Sequence, residues 1–206
     1  MSASTPSAGG PAPQGAEGVR GRSAFGAALA EAMDAHGPLC VGIDPHAALL
    51  EQWGLPDSVE GLRVFSQICV DAFAGHVAVV KPQVAFYERF GAAGFAVLES
   101  TLAALREAGT LVIADAKRGD IGSTMAGYAA AWLAPGAPLE ADALTLTPYL
   151  GVGSLAPAID MAAEHHKGVF IMAANSNPEA VALQTGKIDG RMLSQHMVDE
   201  CATYNS

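Results

Sequence analysis

Short apolar runs alternate with amphipathic stretches along most of this chain, and no other feature narrows the fold as much. Strand and helix patterns in that order wind into a mostly parallel sheet covered by helices. The apolar runs are LCVGID, ending at Asp44, then VAVVK, ending at Lys81, and TLVIADAK, ending in Asp115 and Lys117. ADALTLT and GVFIMAA are the fourth and fifth. A first helix is expected from Phe25, with Phe25, Leu29 and Met33 at helical spacing, and Gly37 and Pro38 stop it. In GLPDSVE, Asp57 is expected as the N-cap of a second helix, with Glu60 three residues on completing a capping box. That helix runs through Phe65, Ile68 and Phe73. Further helices pass through Phe95, Leu98, Leu102 and Leu105 to Gly109, over Ser123 to Leu133, from about Ser154, and after Gly190.

The chain has 206 residues and a formal net charge of −10, enough for one substantial domain. Half of it is hydrophobic and only 16% is charged, which excludes wholesale disorder. Four lysines and seven arginines against 21 acids argue against nucleic acid or an anionic membrane as partner, since either needs a concentrated cationic face. Residues 1–22 contain no apolar run of signal-peptide or membrane-helix type, so they are expected to form a disordered, solvated tail ahead of a domain over 23–206. Cys40, Cys69 and Cys201 are odd in number and lack CxxC spacing. A reducing cytoplasm is the expected compartment.

Five βα units can lie open or continue to eight and close into a barrel, and periodicity alone allows both. Three successive strands deliver charges to their carboxyl ends, where parallel α/β folds carry ligand sites. Asp115 and Lys117 are two apart, so on a strand they share a face while Ala116 points away. Asp120 opens the loop into the next helix and can return to the same rim or reach a neighbouring subunit. With Lys81 the group is two ammoniums and two carboxylates, neutral in sum. Opposite charges there could merely seal the sheet end; the clustering of four at the ligand face favours function. Carboxylates around Lys117 keep it protonated, which suits a proton donor better than a Schiff-base nucleophile.

The string DAKRGDIGST, with GIDPH, VVKPQVAFYERFG, TPYLG and NSNPE, resembles the orotidine 5'-phosphate decarboxylases, specifically their long-chain bacterial branch, from about Phe25 to the end. The resemblance implies a (β/α)8 TIM barrel, of which about five βα units are present. It also implies a homodimer that converts orotidine 5'-phosphate to UMP and CO2 without metal or organic cofactor. By motif, Lys117 would protonate C6 of the pyrimidine, and Asp115 would sit against the departing carboxyl group. Lys81 would hold the charge network and contact the ribose, and Asp44 would bind a ribose hydroxyl. Asp120 and Thr124 match positions that reach into the partner's site, and Ser176 matches a serine that contacts the pyrimidine. A full barrel needs about 250 residues, with the phosphate site after strands seven and eight. The chain is therefore expected to be a truncated piece, poorly soluble and inactive by itself, with open sheet edges.

The runner-up activities are a related sugar-phosphate lyase or aldolase on the same barrel, and a fragment that only mediates association. GVGSLA over Gly151–Ala156 formally matches a dinucleotide motif, but Pro148 and Tyr149 separate it from the strand, and a turn plus helix start is expected instead. The six histidines, including His165 and His166, show no metal-ligand spacing and read as helix-end or surface residues. Trp53 and the phenylalanines are expected to pack in the core.

Overall fold

The computed structural model describes residues 24–205; the expected tail over 1–22 lies outside them. In chain order the elements are α1 (Phe25–His36), β1 (Cys40–Ile43), α2 (Ala47–Gln52), α3 (Val59–Phe73), β2 (Val79–Pro82), α4 (Ala85–Glu88), α5 (Gly91–Glu107) and β3 (Leu111–Arg118). There follow α6 (Gly122–Leu133), β4 (Ala143–Leu146), α7 (Ala156–Glu164), β5 (Gly168–Ile171), α8 (Val181–Gln184), β6 (Lys187–Ile188), β7 (Arg191–Met192) and α9 (Leu193–Ala202). Strands β1 to β5 form one parallel sheet in sequence order, so β1 and β5 are its edges.

The pleat divides the strands' side chains between two cores. Val80, Val112, Ala114 and Leu144 enter the larger cluster with Leu62, Phe65, Leu98, Leu102, Met125 and Trp132 from the helices. Their neighbours Val79, Ile113 and Ala143 form a smaller cluster on the opposite face, closed by Phe25, Leu29 and Ala32 of α1. Alternation along a strand produces this division. In α1, Ala32 takes the place expected of Met33, which is 40% exposed. Trp53 is 49% exposed, yet its ring stands edge-on to Phe65 at 4.9 Å.

The cap of α3 falls one residue later than expected. Ser58 Oγ accepts from the Gly61 N–H at 3.3 Å, while Asp57 pairs with Arg89 across the loop and Glu60 pairs with Arg63. Both Ser and Asp cap well, and the distant arginine decides between them. Several short elements escaped the periodicity, α8 among them. The short helix α2 is capped by His46, whose Nδ1 accepts from Leu49 N–H; α4 is a single turn; and β6 and β7 pair as a hairpin around Asp189-Gly190. Asp-Gly is a strong hairpin signal, but two-residue strands are too short to show alternation.

At the amino ends of the strands a buried ion network ties three layers together. Lys167, 8% exposed, donates from Nζ to Glu140 Oε1 and to the Ala141 carbonyl, both at 2.8 Å. Arg106 of α5 reaches Glu140 Oε2 at 2.6 Å, and Gly136 N–H donates to the same oxygen at 2.8 Å. Burial pushes the Glu140 carboxyl up, but Lys167, Gly136 and Arg106 outweigh it and hold it at about 2 against an ordinary 4.5. The folded state thus binds this proton less readily than the unfolded one. Its stabilisation is complete above pH 4.5 and is lost as pH falls from there towards about 2. Glu140→Gln removes the carboxylate to which buried Lys167 donates and is expected to cost on the order of 3 kcal/mol at pH 7, and less at pH 3. Urea unfolding at the two pH values checks this; a variant as stable as the parent at pH 7 contradicts it.

Candidate active site

The same pleat that sends Val79, Ile113 and Ala143 onto α1 sends Lys81, Asp115 and Thr145, each two residues further on, to the same face at the carboxyl end of the sheet. Asp115 is 6% exposed and its carboxylate is fully engaged. Oδ2 accepts from Lys81 Nζ at 2.7 Å and from Gln83 Nε2 at 3.0 Å. Oδ1 accepts from Lys117 Nζ at 2.6 Å and from the Thr145 hydroxyl at 3.0 Å. A carboxylate has about four lone-pair sites, and all are occupied. Burial raises the Asp115 pKa, but Lys117, Lys81 and Thr145 together hold it below the ordinary aspartate range.

Lys117 meets Asp115 as its spacing predicts, though not along a regular strand. Its φ is +50°, in the left-handed region that side chains other than glycine rarely adopt. Pairing with β4 passes from Ala114 opposite Leu144 to Arg118 opposite Leu146, so four steps of β3 answer two of β4. This bulge curls the strand end back, with Lys117 Nζ over the carboxylate and Ala116 turned into the larger core. Beyond it the backbone runs so close to β4 that a Cβ on Gly119 would lie 2.2 Å from the Thr147 carbonyl oxygen. Arg118 is held by Glu88 of α4 at 3.2 Å, with its guanidinium 5.7 Å from the Tyr128 ring centre.

The expected knot of four charges is a group of three. Asp120 accepts from the Ile121 N–H at 2.7 Å and makes no ion pair with Lys81 or Lys117 among the described residues. Gly119 lies tight against the Thr147 carbonyl, and from there the chain runs on through Asp120 to α6. Two ammoniums and one carboxylate leave a local charge of +1, where the sequence spacing suggested zero. Asp44 stands half-buried at the end of β1, on the neighbouring strand. Thr124, in the first turn of α6, and Ser176, in the loop after β5, are exposed and touch none of the three. Gln83, Thr145 and Thr147 were not singled out from sequence, although Gln83 lies two residues beyond Lys81 and LTLT places both threonines on one strand face.

A cavity of about 400 Å³ lies past Thr147, lined also by Met172, Asn175, Leu193, His196 and Met197; Lys81, Asp115 and Lys117 do not line it. Gly151 begins a turn with φ +92°, and Val152–Leu155 is a 3-10 helix leading into α7, as expected for GVGSLA in place of a dinucleotide site. His165 caps the end of α7 and His166 follows it. Among the described residues, no group of three or more His, Cys, Asp or Glu side chains is placed to hold a metal ion.

The family model described as "Orotidine 5'-phosphate decarboxylase / HUMPS family" matches residues 37–204. An orotidine 5'-phosphate decarboxylase of Corynebacterium efficiens is 61% identical over 183 residues, covering 88% of this chain and 65% of the relative. One from Corynebacterium glutamicum is 60% identical over 183 residues, 66% of its length. Among solved structures, a Streptomyces avermitilis protein described as an orotidine 5'-phosphate decarboxylase superposes with a TM-score of 0.88 at 55% identity, covering 90% of this chain and 65% of that one. The decarboxylase of Leishmania donovani gives 0.74 at 30% identity, covering 88% and 66%. The chain therefore spans about 65% of the length of the curated relatives it matches. Its five-stranded parallel sheet, in the order β1 to β5, is part of the TIM barrel of these relatives. The family match over residues 37–204, together with these identities, shows that the chain belongs to the orotidine 5'-phosphate decarboxylase / HUMPS family.

Proposed function

We propose that this site decarboxylates orotidine 5'-phosphate to UMP and CO2, as part of pyrimidine nucleotide synthesis in the cytoplasm. The observation that carries the reading is one buried carboxylate, that of Asp115, bridging Lys81 at 2.7 Å and Lys117 at 2.6 Å at the ligand end of a parallel sheet. Breaking the bond from C6 to the carboxyl carbon releases CO2 and leaves the electron pair on C6, a ring carbon poorly able to delocalise it. The barrier falls when a fixed positive charge already faces that carbon. Lys117 Nζ supplies the charge and then transfers its proton to C6, completing UMP. Asp115 fixes Lys117 and lies against the departing carboxylate. Lys81 holds the opposite oxygen of Asp115 and faces the ribose, with Asp44 on a ribose hydroxyl and Ser176 on the pyrimidine.

In this reading Asp120 and Thr124 serve the site of a second copy in a homodimer. Two features support that assignment. The local charge of +1 lacks the second carboxylate that Asp120 of a partner brings, and large apolar side chains stand exposed on the adjoining loops. Ile121 is 62% exposed, Tyr149 78% and Leu150 56%. The compartment agrees with three free cysteines. No helix among the described residues is long and apolar enough to cross a membrane.

In protein expressed from the complete gene, Lys117→Ala is expected to lower turnover of orotidine 5'-phosphate by roughly 10³-fold. Its thermal midpoint should stay within about 5 °C of the parent's, because the Lys117 side chain is 42% exposed and fills no core position. An absorbance assay and a melting curve check both parts, and near-normal turnover overturns the assignment. Asp115 supplies a second check. Carbon-detected NMR should find its carboxyl still mostly ionised at pH 3.8, the ordinary midpoint, with its contribution to stability present above that pH and lost on further acidification. A midpoint at or above 3.8 contradicts the ion bridge.

A further inference from the structure

Lys117 has a backbone conformation that L-residues rarely adopt, and its N–H and C=O both meet threonine hydroxyls, of Thr145 and of Thr147. At Lys117 the ladder between β3 and β4 is interrupted by the bulge, so the main chain of β4 does not pair with it. The side chains of Thr145 in β4 and of Thr147, two residues on, replace that pairing. Lys117 N–H donates to Thr145 Oγ1 at 2.9 Å, and the Thr147 hydroxyl donates to the Lys117 carbonyl at 3.1 Å. Both backbone polar groups of the residue with positive φ are thus satisfied from a Thr-x-Thr pair whose spacing puts both hydroxyls on one face. The main chain re-engages one residue later, where Thr147 N–H donates to the Arg118 carbonyl at 2.8 Å.

The proton order of Thr145 follows from this arrangement. A hydroxyl has one hydrogen, and the Lys117 N–H already occupies one of its lone pairs. The hydrogen goes to Asp115 Oδ1 at 3.0 Å in preference to the Ala114 carbonyl at 3.5 Å. One oxygen atom therefore fixes the backbone of the lysine and the carboxylate that orients its ammonium.

We infer that Thr145 and Thr147 are positioning residues that clamp Lys117 in its left-handed conformation and hold its ammonium on Asp115. The inference deepens the proposed function at the same site and rests on it for the kinetic part of the test. Valine copies the shape of threonine without the hydroxyl. Thr145→Val is expected to lower kcat roughly 10- to 100-fold, the size of a lost hydrogen bond to a charged group, while KM moves less than about threefold. Exchange of the Lys117 amide hydrogen should quicken roughly tenfold as the clamp opens. Thr145→Ser, which keeps the hydroxyl, should restore both. Thr147→Val should act in the same direction from the carbonyl end, and it carries the test if Thr145→Val does not fold. Valine variants that keep kcat and amide exchange within about twofold of the parent overturn the clamp. Faster exchange in valine variants of a parent without decarboxylase activity supports the clamp and counts against the proposed reaction.

Discussion

The carboxylate of Asp115 is the interaction on which the ligand end of this sheet depends. Its four donors come from β2, the turn after β2, β3 and β4, so one buried group links three adjacent strands and sets their relative height. Burying a carboxylate is costly unless it is paired and hydrogen-bonded, and here every lone pair is used. Without the lysines the acid would be a buried, uncompensated charge. Without the acid, two ammoniums would face each other across the sheet.

That arrangement accounts for a contrast between the whole chain and its site. The protein is strongly acidic, with a net charge of −10, yet the group at the strand ends carries +1. A small anionic substrate is drawn to a local field, and a low-dielectric surround strengthens it. The fold separates the two electrostatic tasks by position. Glu140, Lys167 and Arg106 lock the amino ends of the strands, whereas Lys81, Asp115 and Lys117 occupy the carboxyl ends. The edges β1 and β5 remain the places where additional strands can add.

Much of this was legible in the sequence because the period-two alternation of a strand is a strong constraint. It placed Asp115 with Lys117, while the short apolar runs between amphipathic stretches placed all five strands of the sheet. The parts that were not legible depend on contacts between distant segments. Asp57 and Ser58 are equivalent caps locally, and only Arg89 across the loop separates them. Asp120 was grouped with the lysines because loop residues carry no periodicity, and Gly119 beside it lies tight against the Thr147 carbonyl. The left-handed Lys117 is the least visible feature, since nothing in its own identity signals a positive φ. The hydroxyls that meet its backbone lie some thirty residues away in LTLT.

A crystal structure of the protein with the product UMP tests the central claim most directly. The account requires Lys117 Nζ to remain within hydrogen-bond distance of Asp115, on the side facing C6 of the pyrimidine, with Lys81 on the other oxygen. A Lys117 side chain turned out to solvent, with Asp115 held by other groups, would contradict it.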